Sequence, residues 1–127
     1  MGTYAKNTSV TIEQSRADIQ SVLARFGAHF EGFVDEPGRV IVMFHGKRSW
    51  VQFKLSLPVG PHLDQQRREL WRALYLGIKG KLVCVASGIE TFEQAFYAHL
   101  VMESGKTVSE ELQPALKQLP KRNWIDE

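Results

Sequence analysis

The sequence predicts an α+β domain: an N-terminal helix, a three-stranded antiparallel sheet, a long helix, then one or two shorter C-terminal helices. Three observations predict it. Apolar residues recur at helical spacing over 12–26 and again over 70–85. Apolar and polar residues alternate between 39 and 55, and Pro37-Gly38 and Gly46-Lys47 cut that stretch into strands. A chain of 127 residues is one domain's worth, and residues 1–8 and 120–127 read as loose tails.

The first helix is expected to start at Thr11. Thr11 and Gln14 have capping-box spacing, in which each satisfies an orphan amide of the other. Ile12, Ile19, Val22, Leu23 and Phe26 then share one stripe, and Gly27 supplies the stop. Residues 29–57 read as three strands. Pro37-Gly38 suits a type II turn, with proline fixing φ and glycine taking positive φ. Gly46-Lys47 suits a two-residue hairpin loop, which pairs His45 with Arg48, Val42 with Val51 and Val40 with Phe53. One face then carries Val40, Val42, Val51, Phe53 and Leu55. The other carries Arg39, Ile41, Met43, His45, Arg48, Trp50, Gln52 and Lys54. A slip of one residue would exchange the faces. Pro58 and Pro61 end the strands.

The long helix is expected from about Leu63 to Ser87, closed by Gly88, with Leu70, Trp71, Leu74, Ile78, Leu82 and Val85 as its apolar stripe. Ala73, Gly77 and Cys84 form a small-residue strip. Gly77 and Gly80 each cost a helix up to ~1 kcal/mol relative to alanine, so close packing is their expected reason. A third helix from Thr91, with Gln94 three residues on, would bury Phe92, Ala95, Phe96 and Leu100 and stop at Ser104-Gly105. A weaker helix over Thr107–Leu119 contains Pro114, and Trp124 and Ile125 fall in the tail. The first and long helices are expected to cover one sheet face.

Apolar residues make up 43% and charged residues 24%, which excludes a disordered or fibrous chain. No run approaches the ~18 apolar residues of a membrane span, so no membrane partner and a cytoplasmic location are expected. Cys84 is the single cysteine, which excludes an internal disulfide and a multi-cysteine metal cage. The net charge of +2 is unevenly spread: residues 1–87 hold 12 Lys/Arg against 7 Asp/Glu, and residues 88–127 hold 4 against 7.

No glycine-rich phosphate loop, nucleophile elbow or metalloprotease helix is present, and an enzyme is not expected. Cys84 has no recognisable base beside it and reads as a small packed residue. His99 and Glu103, at i and i+4, would present two ligands where a metal needs more, so no metal and no cofactor are expected. Glu90 and Glu93 flank the third helix's start, where the helix dipole favours negative charge.

Arg68, Trp71-Arg72-Ala73-Leu74, Ile78-Lys79, Gly88-Ile89, Thr91-Phe92-Glu93, Phe96 and Ala98-His99 together resemble a family of small uncharacterised proteins encoded by tailed phages and prophages. Arg25-Phe26-Gly27-Ala28, Leu57-Pro58 and Gly105-Lys106-Thr107-Val108 fit the same pattern, which runs from about Ser9 to Leu116. The resemblance implies a phage or mobile-element origin and carries no activity, ligand or catalytic residue.

The function expected is a non-enzymatic binding protein acting on nucleic acid or a nucleoprotein complex, such as a replication or recombination accessory. Trp50 and Met43 among Arg39, Arg48, Lys54 and His45 would stack bases and neutralise phosphates. The long helix carries Arg67, Arg68 and Arg72 near its start and Lys79 and Lys81 near its end. Arg68, Arg72 and Lys79 lie on nearly one line, which suits a phosphate backbone. The expected contacts are Arg48, Trp50, Lys54, Arg68, Arg72 and Lys79. The helix–three strands–helix order also matches the topology of double-stranded RNA-binding domains, without their characteristic loop between strands one and two. An alternative is a protein-binding inhibitor of a host defence complex, such as an anti-CRISPR, mimicking phosphates with Glu90, Glu93, Glu103, Glu110 and Glu111. A further alternative is a structural homo-oligomer joined through Trp71, Gly77 and Cys84.

Overall fold

A computed structural model describes residues 5–120. Its elements are α1 (Ile12–Arg25), β1 (His29–Glu36), β2 (Arg39–His45), β3 (Trp50–Ser56), α2 (Asp64–Ala86), α3 (Phe92–Ala95), a 3₁₀ turn (Tyr97–His99) and α4 (Val108–Leu116). The sheet is antiparallel in the order β1-β2-β3, with α1 and α2 side by side on one face. This is the expected α+β architecture. No helix among the described residues is long and apolar enough to cross a membrane.

Alternation drives the layering. Val40, Val42, Phe44 and Val51 are fully buried beneath Ile19, Val22 and Leu23 of α1 and Trp71, Ile78 and Leu82 of α2. Phe33 meets the Trp71 ring edge-on at 5.5 Å, and the Arg16 guanidinium lies 4.6 Å from both ring centroids while pairing with Asp35. The cation thereby lies over both rings where they meet edge to face.

The hairpin loop differs from expectation. The chain turns through four residues, Gly46–Ser49, closed by the Gly46 N–H donating to the Ser49 carbonyl at 3.0 Å. His45 therefore pairs with Trp50 rather than Arg48, Val42 with Phe53, and Val40 with Leu55. The displacement is two residues, so side-chain parity survives and the two face sets stand. The physical reason is burial. This register pairs Phe44 with Val51, both fully buried, where the expected one would have set Phe44 against Ser49. Arg48 consequently lies in the loop and not on a strand.

Helix ends hold in part. Thr11 Oγ1 accepts from the Gln14 N–H at 3.0 Å, but the Gln14 side chain turns to Asp18 instead of closing the box. Thr91 and Gln94 do form a reciprocal box, as do Thr107 and Glu110. The helix expected to run from Thr91 to Ser104 ends after one turn. Leu100 and Val101 leave it to extend the sheet: Leu100 bridges Val51, and the Val101 N–H donates to the Trp50 carbonyl at 2.9 Å. Pairing the open edge of β3 satisfies backbone groups that a continued helix would leave bare.

Two further expectations fail. A Cβ built on Gly77 or Gly80 would meet nothing within 4 Å, so close packing does not explain either glycine among the described residues. Ala5–Thr8, expected in a loose tail, docks on α2: the Asn7 N–H donates to Glu69 at 2.8 Å and Gln65 donates to the Thr8 carbonyl at 2.9 Å. The Asn7 amide, then the Gln65 side chain, which also donates to Glu69 at 3.2 Å, hold the Glu69 carboxyl below its ordinary range. Trp124 and Ile125 lie outside the described residues.

Candidate functional site

The sheet face opposite the helices is left open. Trp50 is 50% exposed and Val34 39%, while Ile41 and Met43 remain partly exposed. Register builds rows across it. His29, His45 and Trp50 are direct cross-strand partners, one from each strand. The His29 and His45 rings stack at 5.0 Å with 20° between planes, and His45 and Trp50 lie at 4.6 Å and 40°. An aromatic row thus crosses the whole sheet at its hairpin end.

Local structure fixes the row. A bulge at Glu31 inserts one residue into β1 between Phe30 and Gly32, which brings His29 into line with His45. The Glu31 carboxylate accepts from His45 Nε2 at 2.8 Å, while His45 Nδ1 lies 2.7 Å from the Gly46 carbonyl. The central ring is held on both nitrogens, and its two neighbours pack against its faces.

Beside the row stands the hairpin loop with Lys47 and Arg48 exposed. Neither makes an ion pair or side-chain hydrogen bond among the described residues. Ser49 Oγ donates to Glu93 at 2.9 Å and ties the loop's last residue to α3. Lys54, also on the open face, is engaged: its ammonium donates to Glu110 of α4 at 2.6 Å. That bond, with the Thr107 amide, holds the Glu110 carboxyl down at about 2.

The long-helix cations are elsewhere and largely committed. Arg72 donates to Asp18 of α1 at 2.8 Å and lies 4.2 Å from the Tyr75 ring. Its hydrogen bond, then that from Gln14, holds the Asp18 carboxyl below its ordinary range. Arg68 donates to Gln65, and Arg67 is spent on Asp64 and on the Pro58 and Gly60 carbonyls. Lys79 lies 6.0 Å from the Tyr75 ring. These residues flank the buried stripe of α2, the helix that packs on the sheet's inner face. The six expected contacts therefore divide: Trp50 and Lys54 lie on the open face, Arg48 in the hairpin loop at its edge, and Arg68, Arg72 and Lys79 in the helical layer.

Three of the five residues of the acidic set are already engaged within the domain. Glu110 is held by Lys54, Glu111 accepts from Ser104, and Glu93 accepts from Ser49. Glu90 follows the end of α2, and Glu103 lies in the exposed turn after Val101. His99 and Glu103 share no helix. The His99 ring stacks on Phe53 at 3.9 Å, and burial, then Lys81, pushes its pKa below the ordinary histidine value. Among the described residues no three His, Cys, Asp or Glu side chains are grouped to hold a metal. Trp71, offered above as an oligomer contact, is 1% exposed and cannot meet a second chain without unfolding α2 from the sheet.

His29 and Lys47 are absent from the contacts read from sequence. Finding His29 requires the register of β1, which the Glu31 bulge sets, and the bulge leaves no composition signal. Lys47 was visible as a turn residue only.

Comparison with family models, with curated proteins and with solved structures finds no match to this chain.

Proposed function

We propose that this protein is a non-enzymatic, phage- or mobile-element-type binding protein that holds single-stranded nucleic acid across its open sheet face. The observation that carries the reading is the in-register row His29–His45–Trp50 beside the two uncommitted cations of the hairpin loop. Bases stack on aromatic rings whatever their identity, and neighbouring cations neutralise the backbone. An open antiparallel sheet face gives unpaired bases room to stack, which the paired bases of a duplex cannot use. The sequence resemblance to small phage-encoded proteins supports a phage or mobile-element setting, and a replication or recombination accessory is the role proposed within it.

The contacts proposed are the outward faces of Trp50 and His29, with His45 between them holding the row, together with Lys47 and Arg48, and with Lys54 reaching a phosphate only by sharing itself with Glu110. A duplex-binding mode along α2 is disfavoured, because Arg67, Arg68 and Arg72 are already spent within the domain.

The test is fluorescence anisotropy with labelled oligothymidylate, oligouridylate and a duplex at low salt. Saturable binding of the single strands, weakened steeply by salt, with Trp50 emission quenched on binding, is the expected result. A flat titration for both single strands, or tighter binding of the duplex, overturns the reading.

A further inference from the structure

On the other side of the hairpin loop lies a second feature, which shares only the loop cations Lys47 and Arg48 with the sheet-face reading. The ends of α1 and α2, the loop and α3 converge there on a half-open cleft of about 340 Å³. Phe26, Leu82, Val85 and Phe92 supply its apolar walls. Its charged lining is Lys47, Arg48 and Glu93. Glu93 is turned to Ser49, whereas the two cations have no partner among the described residues, so the mouth carries an excess of positive charge over an apolar floor.

The cleft is shaped by the fold rather than left by loose packing. Gly46 lies against the Phe92 ring: a Cβ there would meet ring carbons at 3.0–3.3 Å, so the loop approaches the wall as closely as backbone allows. Phe92 in turn packs on Phe96 at 4.9 Å and edge-on to Phe44 at 6.4 Å, which anchors the wall to the core. At the opposite side, Gly27 leaves open space where a side chain would stand. The volume falls at the lower end of the roughly 300–1,000 Å³ of small-molecule sites.

We infer that this cleft is a binding site for a small amphipathic anion, with an apolar chain or ring seated among Phe26, Leu82, Val85 and Phe92 and a carboxylate or similar head held by Lys47 and Arg48. Apolar walls select the tail by burial, and the charge-assisted hydrogen bonds of the loop select the head. A neutral molecule of the same length would gain only the first.

Decanoate is a suitable probe, with decanol as its uncharged counterpart. Both are titrated into the intact protein and followed by amide NMR shifts and calorimetry. The expected result is saturable one-to-one decanoate binding, with shifts centred on Gly27, Ala28, Gly46 and Phe92 and decanol at least about tenfold weaker. Lys47→Ala/Arg48→Ala should bring decanoate down to the affinity of decanol. Ala86→Trp, which places a ring in the cleft from an exposed position, should abolish binding of both with the NMR fingerprint still folded. Absence of saturable decanoate binding, equal affinity for the two probes, or shifts centred away from the cleft overturns the inference. The shift map does so even if a variant fails to fold. None of these readouts involves an oligonucleotide, so the outcome is separate from that of the sheet-face reading.

Discussion

Trp50 and Trp71 are two tryptophans serving opposite faces of one small sheet, and the contrast between them organises the molecule. Trp71 projects from α2 into the layer between helix and strands, is 1% exposed, and is gripped by Phe33 and Arg16. Trp50 projects from β3 away from that layer, is 50% exposed, and among the aromatic groups of the described residues touches only the His45 ring. The same division runs through the cations. In the helical layer Arg16, Arg67 and Arg72 are paired with Asp35, Asp64 and Asp18, whereas Lys47 and Arg48 in the loop make no such pairs among the described residues. The arginines of the helical layer are engaged with carboxylates, and the two cations of the hairpin loop retain unused bonding capacity. Counting basic residues along a sequence overstates the charge available to a ligand, because a guanidinium already bonded to a carboxylate must break that bond to serve another.

The largest effect should separate the two tryptophans outright. Trp71→Ala is expected to cost about 3–5 kcal/mol of folding stability through the cavity it leaves. Trp50→Ala should stay within about 0.5 kcal/mol, as surface substitutions generally do. Urea denaturation of both variants checks this, and similar losses would break the division between the faces.

In binding the ranking should reverse. Trp50→Ala is expected to weaken oligothymidylate by about 1–3 kcal/mol, roughly five- to 150-fold in Kd, through the lost stacking surface. Next in size, Lys47→Ala/Arg48→Ala should flatten the salt dependence of log K by about 1.4, since each single-strand phosphate contact contributes about 0.7. The sharpening control is Arg68→Gln/Arg72→Gln/Lys79→Gln, for which the same salt slope should be unchanged. A slope reduced as much as by the loop variant would move the interface to α2.

The smallest effect concerns pH. Lys54 and the Thr107 amide hold the Glu110 carboxyl at about 2, below its ordinary 4.5. A depressed carboxyl pKa contributes stability that is complete above the ordinary value and fades as pH falls toward the depressed one. The α4 contact should therefore persist on acidification to pH 4 and be lost approaching pH 2, with the Glu110 side-chain carbon titrating near 2 by NMR. A midpoint near 4.5 would release Lys54 into the open-face set and blur the contrast drawn here.

Much of this architecture was legible from residue order. Periodicity placed α1 and α2 within a residue or two, and Gly27 and Gly88 ended them as expected. Alternation separated the sheet faces correctly even though the hairpin loop proved two residues longer, because only an odd slip exchanges faces. The C-terminal third was less legible: Leu100 to Glu103 reads as helix by local pattern, whereas Leu100 and Val101 become edge pairing once β3 offers them free backbone. The candidate site was half legible. Trp50 and Arg48 stood out by type, whereas His29 needed the Glu31 bulge and the long-helix arginines needed their acceptors.

The sequence by itself determined the α+β order of elements and which strand residues face inward, since both follow from side-chain periodicity and turn chemistry within a few residues. Tertiary structure alone decided which cations remain uncommitted, that three rings align across three strands, and that helix and hairpin ends enclose a cleft. Those properties depend on distances between residues far apart in the chain, such as Asp18 and Arg72 or Ser49 and Glu93, and no local pattern encodes a distance of that kind.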